Sequence, residues 1–376
     1  MAPNSSNHDS SIQRIVRLTP LDAILSVIEA QVSAVTPWQG ALPQALGATL
    51  AQDVAVSARP PHPIALRDGY AVEALAIPDA SAYAPLPFAV LPRRIEAGAI
   101  LPPQTDAVTP LDAVVVRGDC AEAVAAVTPG EGVLPAGGDA ASHTPLRRAG
   151  ERLRKLDVAI MAAASVADVT VRMPRLRLAC GGTAKTPVLD AASALLARLI
   201  TKAGGAVIGE ASTLEAALAD ADADAVIAIG GTGSGRNDTS VRTLARLGRV
   251  ETHGIALSPG ETAAFGWLGA RPVLLIPGRI DAALAVWFLI GLRLIAKLAG
   301  GSVDETPAML PLQRKVTSTI GLVELIPVRC AAGMAEPLGS GYLSFSTLTA
   351  SDGFIVVSAD SEGFPAGAQV AVTPWP

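Results

Sequence analysis

The stretch Ala225-Val226-Ile227-Ala228-Ile229-Gly230-Gly231-Thr232-Gly233-Ser234-Gly235-Arg236-Asn237-Asp238 decides the fold. Five consecutive apolar residues of this kind read as a strand buried on both faces. The strand opens directly into a glycine loop, and a helix is expected from about Ser240 to Gly248. The same unit recurs on either side. Leu176 to Cys180 is a strand ending in Gly181-Gly182, followed by a helix from about Ala191 to Ala203 that stops at Gly204-Gly205. Ser212-Thr213-Leu214-Glu215 has the form of a capping box for the next helix. Val273 to Ile276 leads through Pro277-Gly278 into a helix capped by Asp281 and ended by Gly300-Gly301. Strands alternating with capped helices predict an α/β domain over residues 176–301 with a mainly parallel sheet. Three glycine turns after three strands would then meet at its carboxyl edge, where such sheets bind ligands.

Outward from this centre the pattern changes. Thr19-Pro20-Leu21-Asp22 supplies a side-chain cap, a proline at the first helical position and an acid in the first turn, so a helix should run to about Val35. Pro60-Pro61-His62-Pro63 interrupts regular structure. Short apolar runs such as Ala113 to Val116, separated by prolines and glycines, indicate a small β domain. Residues 141–175 hold a helical stretch, Leu156 to Ala164, and an alternating strand, Val169 to Met173. Beyond Pro307 and Pro311, strands are expected around Leu322 to Val328, Gly353 to Val357 and Gln369 to Val372. The expected architecture is multidomain, α/β plus β. An extended amino-terminal α+β domain comes from 1–59 with 141–175, an inserted β domain from 60–140, the α/β domain from 176–301 and a small carboxyl-terminal β domain from 302–376.

Composition narrows the function classes. The chain has 376 residues, 50% hydrophobic, enough for more than one core. A net charge of -5 with 17% charged residues offers no field for nucleic acid or an anionic membrane, so an anionic ligand must be held locally. Cys120, Cys180 and Cys330 form no zinc-type or disulfide pattern, which suits the cytoplasm. The stretch Met1 to Ser11 is polar and does not read as a secretion signal. The apolar run Ala282 to Leu292, broken by Arg293, reads as a buried helix.

Glycines in a strand-to-helix loop let backbone N–H groups turn inward, and the helix start adds positive potential, so Gly230 to Asn237 suits a phosphate. Arg236 adds a guanidinium fork matched to oxyanions. Arg236 and Asn237 stand where a Walker A loop needs lysine and serine or threonine, so the loop is not of that type. The alternative is a tight turn that needs glycine, with Asp238 only capping the helix. Asp68, in Asp68-Gly69-Tyr70, and Asp139, in Gly137-Gly138-Asp139, are loop carboxylates that also fit plain turns. His8, His62, His143 and His253 are scattered and read as surface or packing residues, and Cys180 as a structural thiol.

The order of these fragments resembles the MoeA-type molybdopterin molybdenumtransferases and the related gephyrin E domain. The resemblance runs from about Leu18 onward. It is carried by Leu46-Gly47 through Asp53, Pro60-Pro61 and Asp68 to Val72, and by Ile95 to Ala99 with Leu101-Pro102 and Asp106 to Val108, similar to MTGAPLP and DAVV. Gly230 to Asp238 resembles GGVSVGxxD, Pro259-Gly260 with Ala264 to Gly266 resembles KPGKPxAFG, and Pro277-Gly278 resembles PGNP. Gly339 to Gly341 with Gly353 to Val356 resembles the carboxyl-terminal domain.

The resemblance implies a homodimer of four-domain subunits in molybdenum cofactor biosynthesis. Molybdate is inserted into the dithiolene of adenylylated molybdopterin with Mg2+, and AMP leaves. It implies that Asp68, Asp139 and Asp238 position molybdate or its cation. It also implies that Gly230, Gly231, Thr232, Gly233, Ser234, Gly235, Arg236, Asn237, Ser258, Gly260, Pro277, Gly278 and Arg279 hold the pterin ligand; no metal ligands are assigned. Molybdoenzymes or other cofactor-biosynthesis proteins are the implied partners.

Several family side chains are replaced. Ala65, Leu66 and Arg67 stand for serine, alanine and methionine, Ala97 for a threonine, and Gly182 and Thr183 for the acids of TGDE in a loop shortened before Asp190. Ser258 and Glu261 stand for the KPGKP lysines, and Arg279 and Ile280 for the asparagine and proline of PGNP. Losing two cations and gaining Glu261 weakens an anion site unless Arg67, Arg236 and Arg279 compensate. The alternative function is therefore a catalytically silent molybdopterin-binding carrier, scaffold or regulator.

Overall fold

The computed structural model describes Gln13 and residues 15–182, 186–303 and 307–376. They fall into two compact units, Met1–Gln52 with Ala149–Lys155 and Thr170–Pro376, and Asp53–Arg148 with Leu156–Val169.

The first unit begins with α1 (Leu21–Gln31) and is organised around a six-stranded sheet. Its strands are β1 (Arg175–Cys180), β2 (Ala206–Ala211), β3 (Ala225–Ile229), β4 (Arg249–His253), β5 (Ala264–Leu268) and β6 (Arg271–Ile276), in the order β2-β1-β3-β6-β5-β4. The first four are parallel, and β5 and β4 close one edge antiparallel. From β1 the chain winds to β2 on one side and β3 on the other, so the order reverses between β1 and β3.

Helices α2 (Pro187–Lys202), α3 (Leu214–Ala219), α4 (Ser240–Leu247) and α5 (Ile280–Val286) cover both faces. Strand alternation assigns the faces. Leu176, Leu178, Ile227, Ile229, Leu274 and Ile276 pack with α2, α5 and α1, whereas Val226, Ala228, Val273 and Leu275 pack with Leu214 and Leu218 of α3 and Leu244 of α4. Every residue of β3 is buried, as the uninterrupted apolar run requires.

Three expected caps are built differently. Thr186 and Thr213, rather than Ser212, accept the first-turn N–H groups of Leu189 and Ala216. Glu215 reaches instead to Thr243 and Arg246 at 3.1 and 3.2 Å. Thr19 does not cap α1; its hydroxyl bonds that of Thr252 at 2.6 Å, and the helix stops at Gln31 because Val32 turns extended. Asp281 lies inside the first turn of α5, after Arg279 at the cap position.

The α5 helix continues through wider π-type turns at Trp287–Gly291 into Leu292–Ala299 and ends at Gly300, whose φ of 68° suits glycine. Among the described residues, Ile280–Ala299 is the one helix long and apolar enough to cross a membrane, and 72% of its apolar window is buried inside the protein. Its Phe288 packs against Phe354 and Trp375 of the carboxyl-terminal segment. There Val323–Ala331, Gly353–Val357, Gln369–Pro374 and Ala308–Pro311 form a sheet joined at its edge by Leu257–Ser258.

The second unit is β-rich. Gly69–Val72 pairs antiparallel with Arg93–Ile95 and Ala107–Thr109, and Val114–Arg117 pairs with Cys120–Ala123.

A Cβ at Gly291 would lie 2.6 Å from the ring of Trp287, which is fully buried. Helix propensity alone makes Gly291→Ala stabilising by about 1 kcal/mol. The ring contact reverses the sign, and a net loss of roughly 1–2 kcal/mol is expected as a lowered urea midpoint.

Candidate functional site

The ends of β1, β3 and β6 approach more closely than side chains permit. Gly181 donates to the Ile229 carbonyl at 2.7 Å and Gly230 to the Ile276 carbonyl at 2.8 Å, carrying the sheet ladder one residue beyond the strands. A Cβ at Gly181 would sit 2.1 Å from the Gly230 carbonyl oxygen, and one at Gly278 would sit 3.3 Å from the Gly230 Cα. The three glycine turns thus bound one cleft of about 330 Å3 at the carboxyl edge, beside the reversal of strand order. Its walls are Gly181-Gly182, Gly230 to Gly233, Asn237-Asp238, Thr262 and Pro277 to Arg279, with Leu189 at the base of α2.

Of the residues expected to bind ligand, Gly230, Gly231, Thr232, Gly233, Asn237, Asp238, Pro277, Gly278 and Arg279 are brought together here. Ser234, Gly235 and Arg236 form the exposed outer bend of the loop. Ser258 and Gly260 are buried outside the cleft lining, Ser258 in the strand that joins the carboxyl-terminal sheet. Thr183 lies outside the described residues, as do His8 and Met1 to Ser11.

Asp238 is not the helix cap; Thr239 holds that position without a side-chain bond. The Asp238 carboxylate instead accepts the Gly235 N–H at 2.8 Å, pinning the loop's bend. Ser240 Oγ donates to the Gly230 carbonyl at 2.8 Å from below.

Arg279 is the one basic residue on the described lining. It is not free to act as a bare cation. Its guanidinium forms a fork with Asp281, Nε at 3.0 Å from Oδ1 and Nη2 on Oδ2, and lies 4.2 Å from the ring centroid of Tyr342. The Asp281 hydrogen bond, opposed by partial burial, holds the guanidinium's proton more tightly than usual. Asp281 itself is 3% exposed and also accepts the Leu343 N–H at 3.1 Å, tying the cleft rim to the carboxyl-terminal segment.

Arg67, Asp68 and Asp139 belong to the second unit. Arg67 donates twice to the Val108 carbonyl and once to Glu131, so its fork is consumed within that unit. The Thr128 N–H and then Arg67 hold the Glu131 carboxyl below the usual carboxylate range. Asp68 is exposed and accepts the Ala97 N–H at 2.8 Å; Asp139 is exposed in its loop. Among the described residues no three His, Cys, Asp or Glu side chains converge as a metal site.

Two residues were missed from sequence. Gln13, 6% exposed, donates from Nε2 to the carbonyls of Gly231 and Gly233 at 2.9 and 2.7 Å. His253, expected to be a surface or packing residue, has Nε2 2.9 Å from the Thr232 carbonyl. Neither carried a local signal, since each contact spans a long stretch of chain.

A reversing parallel sheet with a glycine-lined cleft at its carboxyl edge defines a domain that binds small molecules. Residues 180–297 match the family model described as a probable molybdopterin binding domain. Residues 19–165 match the MoeA N-terminal region, domains I and II, and 309–375 match the MoeA C-terminal region, domain IV. The chain belongs to the MoeA family. It is 27% identical over 321 residues to molybdopterin molybdenumtransferase 2 of Mycobacterium tuberculosis, covering 74% of this chain and 79% of that protein. It is 32% identical over 152 residues to a putative molybdopterin biosynthesis protein of Methanocaldococcus jannaschii, a match covering 40% of this chain and only 36% of that protein. The crystal structure of a MoeA protein from Pyrococcus horikoshii superposes with a TM-score of 0.77 at 23% identity, over 96% of this chain and all of that one, which supports the fold.

Asp281→Asn replaces one acceptor oxygen with a donor, so Arg279 loses one arm of its fork, and the Leu343 N–H also loses its acceptor if the oxygen replaced is Oδ2. A loss of roughly 1–3 kcal/mol is expected in urea unfolding, larger for Asp281→Ala.

Proposed function

We propose that this protein inserts molybdate into adenylylated molybdopterin with release of AMP. The observation that carries the reading is the convergence of three glycine turns in one cleft of a molybdopterin-binding-type domain. In this reading Gly230 to Asn237 cradle the ligand's phosphate through backbone N–H groups and the start of α4. Among the described residues the N–H groups of Thr232, Gly233 and Ser234 donate to no protein acceptor, which leaves them for such a ligand. Asp238 would help to hold molybdate or Mg2+, which would supply positive charge to the ligand's oxygens, and the same role is proposed separately for Asp68 and for Asp139, on the family resemblance. Ser258 and Gly260 support the cleft wall. The finer division into 1–59 with 141–175, 60–140, 176–301 and 302–376, a homodimeric assembly, cytoplasmic location and handover to molybdoenzymes belong to the same reading.

A second reading is a silent carrier, scaffold or regulator that holds molybdopterin without turnover. The observation favouring it is that Arg279 is paired with Asp281 and Arg67 with Glu131, so neither is an unpaired substitute for the absent lysines.

The deciding experiment measures AMP released from adenylylated molybdopterin with Mg2+, with and without molybdate. Release that depends on molybdate is expected, falling about tenfold or more in Asp238→Asn and Asp68→Asn. Tight binding without release would assign the carrier, and neither binding nor release would overturn both readings.

A further inference from the structure

The glycine loop is held from outside by three donor contacts on three successive carbonyls. Gln13 Nε2 binds those of Gly231 and Gly233 at 2.9 and 2.7 Å, and His253 Nε2 binds that of Thr232 at 2.9 Å. A carbonyl can only accept, so the Nε2 of His253 carries the proton. The orientation of the Gln13 amide is fixed by the same logic. Its Oε1 accepts the Arg242 N–H at 3.3 Å, a first-turn donor of α4 that Thr239 leaves uncapped, and its Nε2 is then turned to the two carbonyls. The Thr232 hydroxyl is tied separately to that of Thr262 at 3.0 Å.

In a trans peptide the C=O and the following N–H point in opposite directions. Fixing the carbonyls of Gly231, Thr232 and Gly233 on Gln13 and His253 therefore turns each following N–H, of Thr232, Gly233 and Ser234, away from the side chain that holds its peptide, and neither side chain lines the cleft. These N–H groups have no acceptor among the described residues, and neither do those of Gly231, Arg236 and Asn237 in the same loop. The Gly231 carbonyl also accepts the Ser240 N–H at 3.0 Å, whereas those of Thr232 and Gly233 are met by side chains alone, so there His253 and Gln13 set the peptide planes of a backbone that glycine leaves flexible. An anion cradle with its donors already aligned need not spend binding energy ordering them.

We propose that Gln13 and His253 are positioning residues that clamp the carbonyls of Gly231 to Gly233, holding the N–H groups of Thr232, Gly233 and Ser234 ready for the ligand's phosphate. The inference rests on the reading of this loop as the phosphate cradle. It makes Gln13, ahead of α1 in the chain, a support of the ligand site that touches the loop's carbonyls and not the ligand.

The test compares Gln13→Glu, His253→Leu and His253→Gln in the full chain. Gln13→Glu keeps the acceptor for Arg242 but puts a carboxylate in place of the donors, and since its charge alone weakens anion binding, loop exchange without ligand is the deciding reading for that variant; His253→Gln keeps a donor. Molybdopterin affinity is read by pterin fluorescence, and amide hydrogen exchange is read over residues 231–235 without ligand. Gln13→Glu and His253→Leu are expected to weaken binding about tenfold and to speed exchange in the loop alone, with His253→Gln restoring most of both. Unchanged affinity and unchanged loop exchange in the first two variants would overturn the clamp. A general rise in exchange across the sheet would do the same, because it would mark a role in overall stability. If the unsubstituted protein binds no molybdopterin, the reading of the site fails on its own, and loop exchange alone then decides the clamp.

Discussion

The close approach of three strand ends governs this structure. Gly181, Gly230 and Gly278 terminate neighbouring parallel strands, and the Gly181 backbone packs so tightly on the Gly230 carbonyl that a methyl group has no room. Two ladder bonds beyond the strands lock that approach. With side chains excluded at these three positions, that part of the cleft wall is peptide backbone. The sheet, the helices that bury its two faces and the reversal of strand order all serve to hold these three turns in register.

Electrostatics follow from that wall. A backbone cradle supplies partial charges fixed in direction, and full cations add attraction on top. Here the single basic side chain on the described lining, Arg279, is forked onto Asp281 and stacked on Tyr342. Its charge is paired with Asp281, which in turn accepts the Leu343 N–H of the carboxyl-terminal segment. Replacing the family's lysines by Ser258 and Glu261 is thus not balanced by a free cation at Arg279. If the glycine loop is the proposed anion cradle, its backbone N–H groups carry more of the binding than they would beside free lysines.

Much of the central domain was legible because its signals are local. Apolar runs such as Ala225 to Ile229 specify buried strands, and glycines after each strand mark turns whose meeting place follows from parallel topology alone. Helix positions were read to within a few residues. The caps were read less well, because Thr19 and Asp281 are suitable capping residues that the tertiary structure uses elsewhere, one on Thr252 and the other on Arg279 and Leu343. A side chain with several possible partners does not announce which it takes.

Gln13 and His253 show where reading from sequence stops. Neither forms a motif, and Gln13 lies just beyond the polar stretch Met1 to Ser11, ahead of the first expected helix. Their importance appears only when the chain brings them to the back of a loop more than 200 residues from Gln13. The physical reason is general: glycine is selected where the backbone must approach closely, and the same freedom leaves that backbone without direction of its own. A glycine-rich binding loop therefore needs external partners for its carbonyls, and those partners can come from anywhere in the sequence. In this protein the side chain that meets two of the three carbonyls also caps the helix that follows the loop, so one glutamine sets both the peptide planes and the first turn of α4.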